Sequence, residues 1–181
     1  VLAADPGYTY EKKTRNHNTI LVDGKGQFGD GEMWPSPNVG RAHITGFATS
    51  GNVTLARGDA TSAYPRDLGL TRFERTIVLA GDSLVVVCDR LAAREPRSFS
   101  WLLHHYGDVA VDGMIATVTR GAAKLTVMPL QPDGLQVKTE MYTPQYVHPT
   151  RNLTPEQAEI GLIQYDTAPT TEATFLVPLL I

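Results

Sequence analysis

An all-β fold, built as an antiparallel multi-sheet β-sandwich, is predicted by three observations. Short β-branched and aromatic runs recur along the chain, set apart by clusters of Gly, Pro, Asn and Asp. No long stretch carries apolar residues at the i, i+3, i+4, i+7 spacing of an amphipathic helix. Tight turn signals stand at Ser50-Gly51-Asn52, Ala80-Gly81-Asp82, Asp112-Gly113 and Asp133-Gly134, where hairpins are expected.

Taken in order, the runs predict strands over Asn18–Asp23, Arg41–Ser50, Asn52–Arg57, Leu70–Leu79, Ser83–Arg90, Arg97–Tyr106, Asp108–Val111, Ile115–Arg120, Lys124–Pro129, Leu135–Tyr142, Glu159–Asp166 and Ala173–Leu180. These are too many for one small sheet, so a meander folded into packed sheets is expected. One helix start is visible, Thr154-Pro155-Glu156-Gln157-Ala158, with a cap, a first-turn proline and a following acid. Long irregular loops are expected over Gln27–Val39 and Thr143–Pro155, and loops of that length are usually functional or rim-forming.

Period-2 counting assigns faces. Phe73, Arg75, Ile77 and Leu79 share one side of their strand, so a buried Arg75 must find an acceptor, and an internal salt bridge is expected before a substrate contact. Phe99, Trp101, Leu103 and His105 share a side as well, which makes His105 a core or groove-lining histidine and turns His104 the other way.

The chain has 181 residues, 42% of them hydrophobic and 19% charged, which suits one domain over residues 1–181 with a sizeable core. A formal net charge of -3 gives no basic field for nucleic acid or an anionic membrane. No apolar run approaches the roughly 20 residues that cross a bilayer, and the N-terminus shows no basic segment followed by an apolar one. The single cysteine, Cys88, excludes an intrachain disulfide and reads as a buried strand residue. Val1-Leu2-Ala3-Ala4 reads as the tail of a strand, and the chain closes on another strand in Phe175–Ile181. Both ends therefore look cut from a longer polypeptide.

Chemistry-bearing side chains cluster at the start, where Asp5, Tyr8, Tyr10, Arg15, His17 and Asn18 fall close together. Asp5 and His17 are oxygen and imidazole donors of the kind zinc takes, but two ligands close no site. The alternative is structural: Asp5-Pro6-Gly7 as a turn and His17 as a satisfied strand-edge histidine. Arg15 could pair with a carboxylate of a ligand or simply balance Glu11. Trp34, in the Gly/Pro-rich loop, could stack on a sugar ring or anchor the loop.

The opening text AADPGYTYEKKTRNHNTILVDGKGQ resembles a stretch of the heparinase II/III-like superfamily of polysaccharide lyases, in which an Asp-Pro-Gly or Asp-Tyr-Gly turn precedes R-x-x-x-HNT-x-x-VDG-x-x-Q. TRFERTIVLAGDSLVVVCDRL followed by RSFSWLLHHYGD resembles the same family's later strands. The resemblance implies a β-sheet domain that follows an α/α toroid, together building a cleft that cleaves uronate-containing chains such as alginate or a glycosaminoglycan by β-elimination. It implies a divalent metal, most often zinc, with Asp5 and His17 as ligands and a further histidine upstream. It also implies that the main catalytic groups lie outside this chain. Tyr10, or Tyr8, matches the region of a catalytic tyrosine in some alginate lyases, and Arg15, Trp34 and His105 become candidate substrate contacts. The expected partners are an acidic polysaccharide or oligosaccharide and the toroid, with a homo-oligomer left open and a periplasmic or secreted bacterial location. The rival expectation, from the residues alone, is a non-catalytic carbohydrate-binding or structural β-sandwich module.

Overall fold

The computed structural model describes residues 2–7, 9–34, 40–144 and 159–181. Among these residues, twelve strands form two sheets in which neighbouring strands run antiparallel: β1 (Ile20–Val22), β2 (His43–Ser50), β3 (Val53–Asp59), β4 (Leu70–Ala80), β5 (Leu84–Arg97), β6 (Phe99–His105), β7 (Asp108–Asp112), β8 (Ile115–Arg120), β9 (Ala123–Val127), β10 (Gln136–Tyr142), β11 (Ile160–Asp166) and β12 (Thr170–Leu180). One sheet has the order β1-β6-β11-β10 and the other β2-β3-β4-β5-β12-β9-β8-β7.

The expected all-β sandwich is therefore the observed fold, because period-2 alternation gives each sheet an apolar face that must be covered. Ile20, Phe99, Trp101, Ile163 and Tyr165 of the four-stranded sheet meet Phe73, Leu91, Phe175 and Val177 of the eight-stranded one in a single buried cluster. A smaller cluster of Leu21, Leu102 and Leu162, with Tyr142 against it, lies on the opposite face of the four-stranded sheet.

Strand ends differ from expectation in instructive places. The strand expected over Ser83–Arg90 runs on to Arg97 through Ala92-Ala93-Arg94-Glu95-Pro96, residues of poor strand propensity. Pairing on both sides, to β4 and β12, overrides that local preference. The expected strand over Asn18–Asp23 is cut to three residues because Asp23 (φ 51°) and Gly24 (φ 72°) turn the chain back so that Val22 bridges Lys25. Cys88 is only partly buried, against expectation. The helix expected at Thr154 and most of the loop over Thr143–Pro155 lie outside the described residues.

Arg75 makes the expected internal bridge: its Nε and Nη2 donate to the two carboxylate oxygens of Asp89, each at 2.6 Å. Asp89 is fully buried, and the pair joins β4 to β5 in register. Beyond Arg75 the same face leaves the sandwich, so Ile77 and Leu79 are partly exposed.

Gly161 marks a packing constraint. It pairs with His105, and a Cβ built there would lie 2.2 Å from His105 Cε1 and 2.3 Å from Nε2. The ring has no exposed surface. Gly161→Ala is expected to cost about 1–3 kcal/mol as an overpacked contact. In urea unfolding, His105→Ala should recover much of that loss in the double variant, whereas strictly additive costs would refute a shared space.

Candidate functional site

The site is built where the opening segment crosses the end of β6. Asp5 closes the Asp-Pro-Gly turn on itself: Gly7, at φ 82°, donates its N–H to Asp5 Oδ1 at 2.8 Å. The other oxygen, Oδ2, then faces His17 Nδ1 at 2.6 Å. His17 is presented by a single 3-10 turn over Thr14–Asn16, held from below by Gln27 N–H donating to Thr14 Oγ1 at 2.8 Å and by Thr14 N–H donating to Asp30 Oδ1 at 2.5 Å. Both members of the pair are about half exposed, at 50% and 51%.

Beneath the pair lies a buried polar chain. Asn18 Nδ2 donates to the Ala4 carbonyl at 2.8 Å, and Asn18 Oδ1 accepts from the His104 N–H at 2.7 Å. His104 Nδ1 lies 3.0 Å from Asn18 Oδ1, and its Nε2 lies 3.0 Å from the Tyr142 hydroxyl, which also reaches Asn16 Oδ1 at 3.2 Å. Asn18 Oδ1 can only accept, so Nδ1 of the neutral ring carries the proton, and the one Tyr142 phenol proton serves either Nε2 or Asn16 Oδ1. Burial pushes His104 down to about 4, and the Arg15 backbone and the Asp5 carboxylate offset only part of that drop. His104 is thus neutral at pH 7.

The sequence-predicted residues are only partly brought together. Asp5 and His17, expected as metal ligands, lie side by side and bond to each other. Arg15 does not balance Glu11, which Lys13 takes at 2.6 Å; instead its Nη2 donates to Glu140, and its guanidinium lies 5.4 Å from the centre of the Tyr142 ring. Tyr10 is 39% exposed and Trp34 75% exposed, so both are open to a ligand. Tyr8 lies outside the described residues. A substrate contact for His105 does not fit: it has no exposed surface, faces between the sheets, and burial lowers its pKa.

Sequence reasoning missed Asn16, His104 and Tyr142. The parity that turned His104 away from the core was the one available signal for it. Asp23, in the Val-Asp-Gly text, proves structural: its carboxylate accepts from the Ser98 N–H and from Arg97, both at 2.8 Å, fastening the β1 turn to β6. Burial alone would raise its pKa, but these two donors bring the net shift below the usual carboxylate value.

Two concavities open along the segment around His17. One, of about 220 Å³, is lined by Lys12, Lys13, His17, Thr19 and Gln27. The other, of about 230 Å³, is lined by Glu11, Lys13, Arg15, Asn16 and Tyr142. Lys12, Lys13 and Arg15 edge these concavities, with Lys13 and Arg15 already paired to Glu11 and Glu140. The imidazole and carboxylate fit zinc in donor type, but no cluster of three His, Cys, Asp or Glu able to hold a metal occurs among the described residues.

No curated protein matches the chain's sequence. Among solved structures, the heparan sulfate lyase from Pedobacter heparinus superposes with a TM-score of 0.71 at 14% identity over 93% of the chain. A heparinase III with methylated lysines gives a TM-score of 0.74 at 14% identity over 99% of it. The chain spans only about a quarter of those proteins, 24% and 27% respectively. At these identities the likeness shows the fold. Residues 2–175 match the family model "Heparinase II/III-like, C-terminal", and the chain belongs to that family.

Proposed function

We propose that the chain is the β domain of a polysaccharide lyase that cleaves a uronate-containing polysaccharide or oligosaccharide by β-elimination. It contributes half of a zinc site and one wall of the substrate cleft, and an N-terminal α/α-toroid domain supplies the rest. The observation that carries this reading is the exposed Asp5–His17 pair, whose His17 lines a concavity together with Lys12 and Lys13. Family membership and the heparan sulfate lyase of similar fold favour a glycosaminoglycan over alginate as substrate.

In β-elimination a base removes the proton at C5 of the uronate, the carboxylate must be neutralised by polar donors, and an acid protonates the leaving oxygen. Arg15 can offer a planar two-pronged donor to the carboxylate if the substrate displaces Glu140 from it. Tyr10 has an exposed phenol that could serve the proton steps, although most of that machinery is assigned to the toroid. Trp34 offers an open indole face to a sugar ring. Asp5 and His17 would hold zinc, which when bound supplies positive charge beside the developing negative charge.

The test is the ultraviolet absorbance of an unsaturated uronate, measured with the full-length protein on heparan sulfate, chondroitin, hyaluronan and alginate. Product on one of them supports the reading; none on any of them leaves a non-catalytic carbohydrate-binding module. Asp5→Ala and His17→Ala are each expected to weaken zinc binding by at least about 10–100-fold. Metal analysis that finds zinc retained in both variants would remove the metal site from the proposal.

A further inference from the structure

Asp5 and His17 are surface side chains, and an exposed contact of this kind holds itself together only weakly against solvent. Beyond the turn under His17 and the backbone bond of Ala4 to β6, one side chain links their two segments. Asn18 follows His17 in sequence, and its Nδ2 donates to the carbonyl of Ala4, the residue before Asp5. Its Oδ1 accepts from the His104 N–H and lies 3.0 Å from His104 Nδ1, while the Ala4 N–H donates to the His104 carbonyl at 2.8 Å. The Asn18 carbonyl accepts from Arg75 Nη1 at 2.5 Å, and Arg75 is locked in turn by the buried Asp89. Asn18 thus ties both ligand segments to the end of β6 through its carboxamide, and to the buried ion pair of the eight-stranded sheet through its backbone carbonyl.

The geometry points to Asn18 as the positioning residue that holds Asp5 and His17 at ligand spacing. This inference rests on the reading of that pair as a metal half-site. It is specific to a short carboxamide. Aspartate keeps the acceptor for His104 but cannot donate to Ala4, alanine does neither, and glutamine places the amide one methylene too far out.

The experiment uses the full-length protein, stripped of metal and titrated with zinc against a chromophoric chelator. Asn18→Ala is expected to weaken zinc binding about 10–100-fold, with Asn18→Asp between it and wild type. In the metal-free protein at fixed pH, the ring ¹⁵N shifts of His17 should move towards those of a free imidazole in Asn18→Ala, because the bond to Asp5 loosens. Tyr165→Phe, which removes a remote hydroxyl bond to the Met114 carbonyl, should lower thermal stability and leave both readouts unchanged. Zinc affinity of a folded Asn18→Ala within about two-fold of wild type would overturn the inference, since outer-shell partners of metal ligands act well above that level. If that variant does not fold, Asn18→Asp decides in the same way. Zinc that is lost in Asp5→Ala and His17→Ala but kept in the Asn18 variants would sink the positioning role alone. A wild-type protein that binds no zinc would sink it together with the metal reading.

Discussion

Asp89→Ala is expected to destabilise the protein by about 3–5 kcal/mol, because it leaves the Arg75 guanidinium without its counter-ion in a largely buried place. Desolvation pulls the Arg75 pKa down, and the charge and hydrogen bonds of Asp89 more than offset it, so the guanidinium stays ionised and cannot escape by losing a proton. Its side chain keeps 22% exposure, which draws the expected loss towards the lower half of that range. Urea unfolding measures it, and a loss under about 1 kcal/mol would show the pair to be no stronger than a surface bridge. Replacing both residues at once, as Arg75→Met with Asp89→Leu, should cost far less than Asp89→Ala, since the desolvation of two charges is removed along with their attraction. The double variant nonetheless frees the Asn18 carbonyl. Stability and zinc affinity should therefore part company in it, with the fold recovered and the affinity still reduced.

Alternation made the fold readable and could not make the site readable. Phe99, Trp101, Leu103 and His105 announce their shared face within one strand, and Asp-Pro-Gly announces its turn within three residues. Both are local patterns. The polar chain beneath Asp5 and His17 has no local pattern: His104 meets Asn18 across 86 positions and Tyr142 across 38. The β6–β11–β10 register that brings Tyr142 beside His104 is fixed by the whole sheet. Arg15 shows the same limit, since its partner Glu140 comes from β10, far along the chain, while the nearer Glu11 goes to Lys13. The C-terminal half of β5 was hidden for the opposite reason, as strand pairing imposed order on residues whose own preferences argue against it.

A steep loss of stability is expected as pH falls from 6.5 to about 4, the interval between the ordinary histidine value and that of His104 in the fold. Within it the unfolded chain binds a proton at this position and the folded chain does not, so acid favours unfolding. The sign is that of a base with a depressed pKa: stability is complete above 6.5 and lost below it, opposite to a histidine that gains an acidic partner. Over the whole interval His104 accounts for about 3 kcal/mol, at a slope of up to about 1.4 kcal/mol per pH unit. His105, also lowered by burial, adds in the same direction. The charged groups nearest His104 are Asp5, which favours its protonation, and His17 and Arg15, which oppose it. Asp23 and Asp166 have lowered values and lose their stabilising ionisation in more acid solution, below the carboxylate value of 3.8. The histidine interval is thereby separated from ordinary acid denaturation. Urea midpoints across that range should climb with pH and then level off, and His104→Gln should flatten the climb while leaving the carboxylate limb in place. A profile already flat between pH 4 and 6.5 in the wild type would mean that His104 titrates as an ordinary exposed imidazole, which its complete burial under Asn18 and Tyr142 opposes.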